Sequence, residues 1–338
     1  MQIAPSKMRP EEWNAFVYRH YPPIGAFMQT WEWGEFQKSL GRSVARYEIR
    51  KRRERVGVFL LVEHTLPLGF RYGYSPRGPV LDPVYDLQLV LSALRGWARA
   101  RFPKLIFIRL EPPLAEIATA GIKGIAAPKY YIQPRHNTAV ALDGSVETLL
   151  ANLHSSTRSN ISRAEKRGAT VVIQDKLAGG DYTAFQEMIL ETEARNGGKN
   201  IFPSEMYLRS FFDTMPANTG VHDPRQMTLG IFYGYHEGEA AAAHFVLFFG
   251  DTATFLYGAS RTKHLNSKVT TLLHWAGIMR AKELGLAHYD IGGVDETRWP
   301  SLTAFKQRFG GRTWNYAGNI DIIIRPLFYW VYNLLHRS

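Results

Sequence analysis

The chain has 338 residues, 45% of them hydrophobic and 21% charged, a composition that excludes disorder and is long enough for two cores. It contains no cysteine, which excludes disulfides, thiolate catalysis and cysteine-ligated metal, and fits a reducing, cytoplasmic setting. The formal net charge of +11 favours acidic partners such as nucleic acid, anionic lipid or a phosphate-bearing substrate.

The N-terminal stretch lacks the basic-then-apolar pattern of a signal peptide, and no run reaches the roughly 18 apolar residues of a membrane span. Residues 10–20 read as a helix with Trp13, Phe16 and Val17 on one face and Glu11 and Glu12 in the first turn. Residues 27–36 carry aromatics spaced to bury one side of a further helix. Strand-like runs follow at 43–49 and 56–63, separated by the charged run 50–55, which suits a solvated hairpin turn or, alternatively, a nucleic-acid contact. Residues 71–79 read as a strand entering a Gly/Pro loop that contains Arg77. Leu87, Val90, Leu91, Leu94 and Trp97 then mark a helix, and 105–110 a buried strand stopped by Pro112 and Pro113.

The second half repeats this grammar. Residues 242–249 and 253–257 form a hairpin pattern, and Tyr257-Gly258-Ala259-Ser260 echoes Tyr72-Gly73-Tyr74-Ser75. A helix with Val269, Leu272, Leu273, Ala276 and Met279 on one face follows, then a strand at 287–291. Two copies of one α/β unit account for this order. Between them, residues 149–168 read as one helix ending at Gly168, with Arg158, Arg163, Lys166 and Arg167 as the best cluster for phosphate contact. A solvated surface helix is the competing reading.

Near the end of the second copy, Tyr289-Asp290-Ile291-Gly292-Gly293 is a buried strand opening through glycines, and Phe305-Lys306 precedes Gly310-Gly311. Glycines let backbone approach a ligand, and a lysine fixed beside them supplies a cation where negative charge develops. There is no Walker loop, GxGxxG or GxSxG motif, and His244, His264, His274 and His288 read as isolated, without zinc spacing. Direct transfer between two bound substrates is the reaction type these absences leave.

The ordered set Trp31-Glu32-Trp33-Gly34-Glu35-Phe36, Pro76-Arg77-Gly78-Pro79-Val80-Leu81-Asp82, Glu193-Ala194-Arg195-Asn196-Gly197, Leu256-Tyr257-Gly258-Ala259-Ser260, Tyr289-Asp290-Ile291-Gly292-Gly293 and Phe305-Lys306 resembles the Fem family (FemABX). These are aminoacyl-tRNA-dependent peptidyltransferases that build peptidoglycan cross-bridges. The resemblance implies an α/β fold of two tandem acetyltransferase-like (GNAT) domains: residues 1–145 completed by 315–338, and 146–314 with the basic helix. It implies transfer of an aminoacyl group to the side-chain amine of a peptidoglycan precursor, with aminoacyl-tRNA as co-substrate, no cofactor and no metal. Residue by residue, Lys306 takes the role of the oxyanion-stabilising lysine. Glu111 takes that of a carboxylate that orients or deprotonates the attacking amine. Phe305, Tyr257, Arg77, Gly292 and Gly293 take substrate-binding places. A basic residue that binds precursor phosphate in some members falls near Gln37, with Lys38 adjacent, and a second falls near Phe202. These departures favour a lipid-linked acceptor over a soluble nucleotide-linked one.

Residues 325–337 form an aromatic helix too short to span a bilayer, either docked on the first domain or lying at the inner membrane leaflet. Two alternatives complete the expectations. One is an acyl-CoA N-acyltransferase, against which the glycine-free loop 261–268 argues. The other is a non-catalytic basic module that binds nucleic acid or envelope.

Overall fold

The structure, a computed structural model, describes residues 1–116, 124–128, 131–174 and 179–335. The chain forms two compact units, Met1–Arg135 with Asn315–Ser338, and His136–Trp314. The first contains β1 (Gln2–Pro5), α1 (Pro10–His20), α2 (Trp31–Ser39), β2 (Val44–Lys51), β3 (Glu54–Thr65), β4 (Arg71–Ser75), β5 (Val80–Leu81), α3 (Leu87–Arg101), β6 (Phe107–Leu110) and β7 (Ile125–Ala126). The second contains β8 (His136–Ala141), α4 (Val146–Asn152), α5 (Ser155–Lys166), β9 (Thr170–Gln174), α6 (Gly179–Arg195), α7 (Glu205–Thr214), β10 (Thr228–His236), β11 (Glu239–Phe249), β12 (Thr252–Ser260), α8 (Val269–Glu283), β13 (His288–Gly293), α9 (Pro300–Gln307) and β14 (Arg312–Asn315). The chain then returns to the first unit with β15 (Ile320–Ile323) and α10 (Pro326–Leu335).

The first sheet runs β1-β2-β3-β4-β6-β15-β7, with β5 on β3; the second runs β14-β8-β13-β12-β11-β10-β9. Each contains a parallel pair joined by a crossover helix, β4 with β6 through α3 and β12 with β13 through α8, because parallel neighbours cannot be joined by a tight turn. Asp86 caps α3 by accepting from the Gln88 amide. The helix buries Leu87, Val90, Leu91, Leu94 and Ala98 against Phe59, Ile108 and Ile322. In the second unit α8 is buried on most of its circumference, as expected of an interior helix. A Cβ on its Gly277 would lie 2.7 Å from the Tyr289 hydroxyl, so only glycine admits that contact.

Four local readings change. Residues 149–168 form two helices rather than one: the chain breaks at Leu153, and His154 caps α5 through the Ser156 amide while its own amide donates to the Arg308 carbonyl. Gly168 does end α5, with φ of +74°. The helix of 27–36 begins as a 3-10 turn, Ala26–Gln29, and Thr30 starts α2 anew by accepting from the Trp33 amide. Residues 136–141, grouped by pattern with the first domain, pair along β13 in the second sheet. The two Tyr-Gly-x-Ser segments occupy different registers. Gly73, Tyr74 and Ser75 themselves pair with β6, whereas β12 pairs with β13 through Thr252, Ala253 and Thr254, ahead of its own tetrapeptide.

The C-terminal return is held by charge and aromatic packing. Arg109 of β6 donates to Asp321 of β15 from Nε at 2.7 Å and Nη2 at 2.6 Å, and Tyr329 donates to the same carboxylate at 2.9 Å, all fully or largely buried. Tyr329 and Tyr332 of α10 pack on Phe107, and Phe328 packs on Phe70. The helix is therefore docked on the first unit. Its outer face leaves Leu327, Trp330, Leu334 and Leu335 exposed, and Leu68, on a turn leading into Phe70, is 94% exposed.

Candidate functional site

In the second unit, β12 and β13 stay paired only as far as Thr254 and Asp290; β12 then continues along β11 to Ser260. The carboxyl ends of parallel strands that part in this way are where open α/β sheets bind ligands. Lys306 sits at this parting. Pro300 opens α9, a position where its missing N–H costs nothing, and Lys306 lies in the last turn. Its side chain is buried, with the whole residue 7% exposed, and Nζ donates to the Gly293 carbonyl at 2.8 Å.

Gly292 holds φ of +93°, and a Cβ there would stand 3.2 Å from Nζ, so glycine both permits the backbone turn and leaves room for the ammonium. Asp290, fully buried on β13, accepts from Asn137 Nδ2 at 3.0 Å and from the Gly292 amide at 2.8 Å. Burial pushes the Lys306 pKa down to about 8, and the nearby Asp290 carboxylate acts in the opposite direction.

Behind the ammonium stands an aromatic wall. The His274 ring lies 5.6 Å from Phe305, 5.1 Å from Phe309 and 4.4 Å from His244, and Tyr289 Oη is 3.4 Å from His274 Nδ1. Burial holds both histidines neutral, His244 at about 3 and His274 well below its ordinary value, with His244 and Lys306 adding to the depression of the latter. The site thus sets a buried ammonium between neutral rings and the Asp290 carboxylate, a low-dielectric setting in which it acts strongly on developing negative charge.

The structure brings Phe305, Gly292 and Gly293 to Lys306. Tyr257 instead packs edge-on against Phe211 of α7, ring centroids 5.9 Å apart, and burial raises its pKa. Arg195 donates to Ser260 Oγ at 3.0 Å and Thr262 Oγ1 at 2.7 Å, tying the end of α6 to the end of β12. On α5, Arg158 is spent on the carbonyls of Ala151 and Leu153, and Arg167 on that of Asn266. Arg163 and Lys166 are exposed.

In the first unit, Glu111 follows β6 and is 2% exposed. Its Oε2 accepts from Tyr74 Oη at 2.7 Å and the Arg77 amide at 3.3 Å, and its Oε1 from the Gln133 amide at 3.3 Å. Burial raises its pKa, opposed first by the Arg77 charge. Arg77 has φ of +53° and is itself buried, stacked 3.6 Å from the Tyr316 ring centroid and donating to the Pro134 carbonyl at 2.8 Å. Lys38 is exposed and ion-paired with Glu35 at 2.9 Å, while Gln37 is buried and accepts from Arg42.

The histidines are not isolated as their spacing implied. His244 and His274 meet through strand and helix, and His264 meets His236. Sequence reasoning also passed over Asp290 as a charge acting on the lysine and Asn137 as the donor to Asp290; the signal available was an aspartate inside an otherwise apolar strand, which burial must balance.

Comparison with known proteins places this architecture. The sequence profile of the FemAB family matches residues 8–126 and 232–337, about two thirds of the chain. The chain belongs to the FemAB family. The lipid II:glycine glycyltransferase of Staphylococcus aureus is 23% identical over 398 aligned positions, covering 94% of this chain and 92% of that protein. The crystal structure of FemX superposes with a TM-score of 0.79 at 21% identity, over 98% of this chain and 99% of that one. A tandem GNAT protein from the clavulanic acid biosynthesis pathway gives 0.56 at 12% identity, over 96% and 98%. The fold is thus α/β, with two tandem acetyltransferase-like units, as the FemAB resemblance implied.

Proposed function

We infer that this FemAB protein is an aminoacyltransferase of peptidoglycan bridge formation, moving an aminoacyl group from aminoacyl-tRNA to the side-chain amine of a lipid-linked precursor. The observation that carries the reading is the buried Lys306 ammonium at the parting of β12 and β13. Family membership and the substrate named for the staphylococcal relative support the acceptor class.

The neutral amine attacks the ester carbonyl of the donor, the new C–N bond forms, and the carbonyl electron pair moves onto oxygen. Lys306 stabilises that oxyanion. Collapse expels the ribose oxygen of the tRNA, which takes up the proton released by the amine. We assign Phe305 and the Gly292-Gly293 backbone to shaping the wall on which the carbonyl rests. Glu111 serves as a positioning residue, since its oxygens already hold Tyr74 and the 77–78 loop. Arg163 and Lys166 are the α5 cations available to tRNA phosphate, and Tyr257, Arg77 and Lys38 remain acceptor-side assignments drawn from the family pattern.

The outer face of α10 supports peripheral contact with a bilayer carrying that precursor: Leu327, Trp330, Leu334 and Leu335 form an exposed apolar stripe at three-and-four spacing. No helix among the described residues is long and apolar enough to cross a membrane.

The test supplies charged tRNA or acyl-CoA with a lysine-containing lipid-linked precursor and follows product mass. Product from charged tRNA that disappears in Lys306→Met supports the reading, and product from acyl-CoA alone overturns it. Flotation on anionic vesicles, comparing the native chain with Trp330→Glu/Leu334→Glu, tests the membrane face; equal flotation would remove that part.

A further inference from the structure

The second unit carries a cluster remote in sequence from the lysine centre. Strand β10 ends at His236, and the connection to β11 is the two-residue turn Glu237-Gly238, both left-handed at φ of +55° and +78°, the twist that two-residue hairpins demand. A glutamate is an unusual occupant of that conformation. The turn sets its carboxylate beside the 3-10 segment Thr262–Ser267, which bears His264.

Nδ1 of His236 and Nδ1 of His264 are 3.1 Å apart, and Glu237 Oε2 is 3.8 Å from His236 Nδ1. All three ligand atoms lie within 4.8 Å of one another. Ligands on a tetrahedral ion with bonds of about 2.0–2.1 Å stand roughly 3.4 Å apart. The two imidazoles already match this spacing, and the exposed Glu237 side chain needs only a small rotation.

Glu239 supplies a second observation. Its Oε2 lies 3.4 Å from His264 Nε2. That oxygen is also ion-paired with Lys263, and a carboxylate on the outer nitrogen favours the tautomer that leaves Nδ1 with its lone pair, the arrangement found behind metal-bound histidines. His264 is buried and His236 nearly so, which pre-orders two ligands, whereas Glu237 is 75% exposed and leaves the remaining coordination position open to water.

We propose that His236, His264 and Glu237 bind one divalent transition-metal ion of the zinc class, with Glu239 orienting His264. Two imidazoles and a carboxylate suit zinc or cobalt over the harder magnesium and calcium. The ion would clamp the β10–β11 turn to the segment that leads through Lys268 into α8, the helix whose His274 backs Lys306.

The test uses the full chain without a histidine tag, treated with chelator and desalted, then titrated calorimetrically with zinc and spectroscopically with cobalt(II). Expected are a stoichiometry of one, a tetrahedral cobalt spectrum and a zinc-dependent rise in Tm. Glu239→Gln should weaken binding ~10–100-fold, as loss of a carboxylate behind a ligand histidine does, and His236→Ala by at least as much. His236 is the last residue of β10, at the hairpin turn, so its variant keeps the test open if His264→Ala fails to fold. Absence of stoichiometric binding, or binding unchanged in both His236→Ala and Glu239→Gln, overturns the site and leaves the 3.1 Å contact as a histidine–histidine hydrogen bond.

Discussion

If the Lys306 ammonium stabilises the oxyanion, the rate advantage it confers must vanish as it loses its proton. With a pKa of about 8, about nine-tenths of the side chain is charged at pH 7 and about a tenth at pH 9. The acceptor amine complicates a simple profile, because an ordinary lysine-type amine of pKa near 10.4 becomes more nucleophilic over the same range. Native kcat/KM should therefore rise tenfold per pH unit below pH 8 and level off above it. Lys306→Met keeps the acceptor dependence but has no group to titrate, so it should rise straight through pH 8. The ratio of native to variant rates cancels both the acceptor and the alkaline lability of the donor ester. Removal of one oxyanion donor costs ~10²–10³ in rate, so the ratio should stay near that level up to about pH 7.5 and fall by about tenfold between pH 7 and pH 9. Single-turnover transfer measured from pH 6.5 to 9.5 decides the matter. A ratio that does not vary with pH, or one below about threefold at pH 7, refutes the assignment.

Three further outcomes follow from the same geometry. The folded pKa of Lys306 lies below its ordinary 10.5, so the cost of charging it is fully present below about pH 8 and fades as pH rises toward 10.5. Lys306→Met should accordingly raise stability at pH 7 by about 1–3 kcal/mol after loss of the bond to Gly293, with the gain shrinking at high pH in denaturant titrations. Glu111→Gln places an amide N–H₂ against either the Arg77 or the Gln133 amide and should destabilise by about 1–3 kcal/mol, read as a lower urea midpoint at unchanged slope; an unchanged midpoint would remove its positioning role. Arg163→Glu/Lys166→Glu should weaken tRNA binding and flatten its log–log salt slope by about 1–2, and unaltered filter binding would argue against α5 as the tRNA face.

What was legible in the sequence was local. The α3 stripe and the Pro10–His20 helix follow from three-and-four spacing, and the Gly292 opening from glycine's tolerance of positive φ. The break between α4 and α5 was hidden because apolar residues on both sides keep a helical rhythm; what ends α4 is the His154 amide turning to Arg308, 154 positions further on. The same holds for Asp290 beneath Lys306, for His236 beside His264, and for the three donors that occupy Glu111. Such partnerships depend on strand register, and the Tyr-Gly-x-Ser segments show that like sequences can sit in unlike registers.

The position of β15 between β6 and β7 bears on the order in which the chain matures at the ribosome. Every strand and helix of the second unit is contiguous and emerges before residue 320, so that unit can close while the first still lacks an internal strand. Until β15 arrives, β6 has an open edge and Arg109 has no carboxylate to neutralise it, and an unpaired buried charge opposes closure by about 3–5 kcal/mol. The Arg109–Asp321 pair can form only once residue 321 has been made. A chain cut short before Asp321 should therefore leave β6 with an open edge and its first unit incomplete.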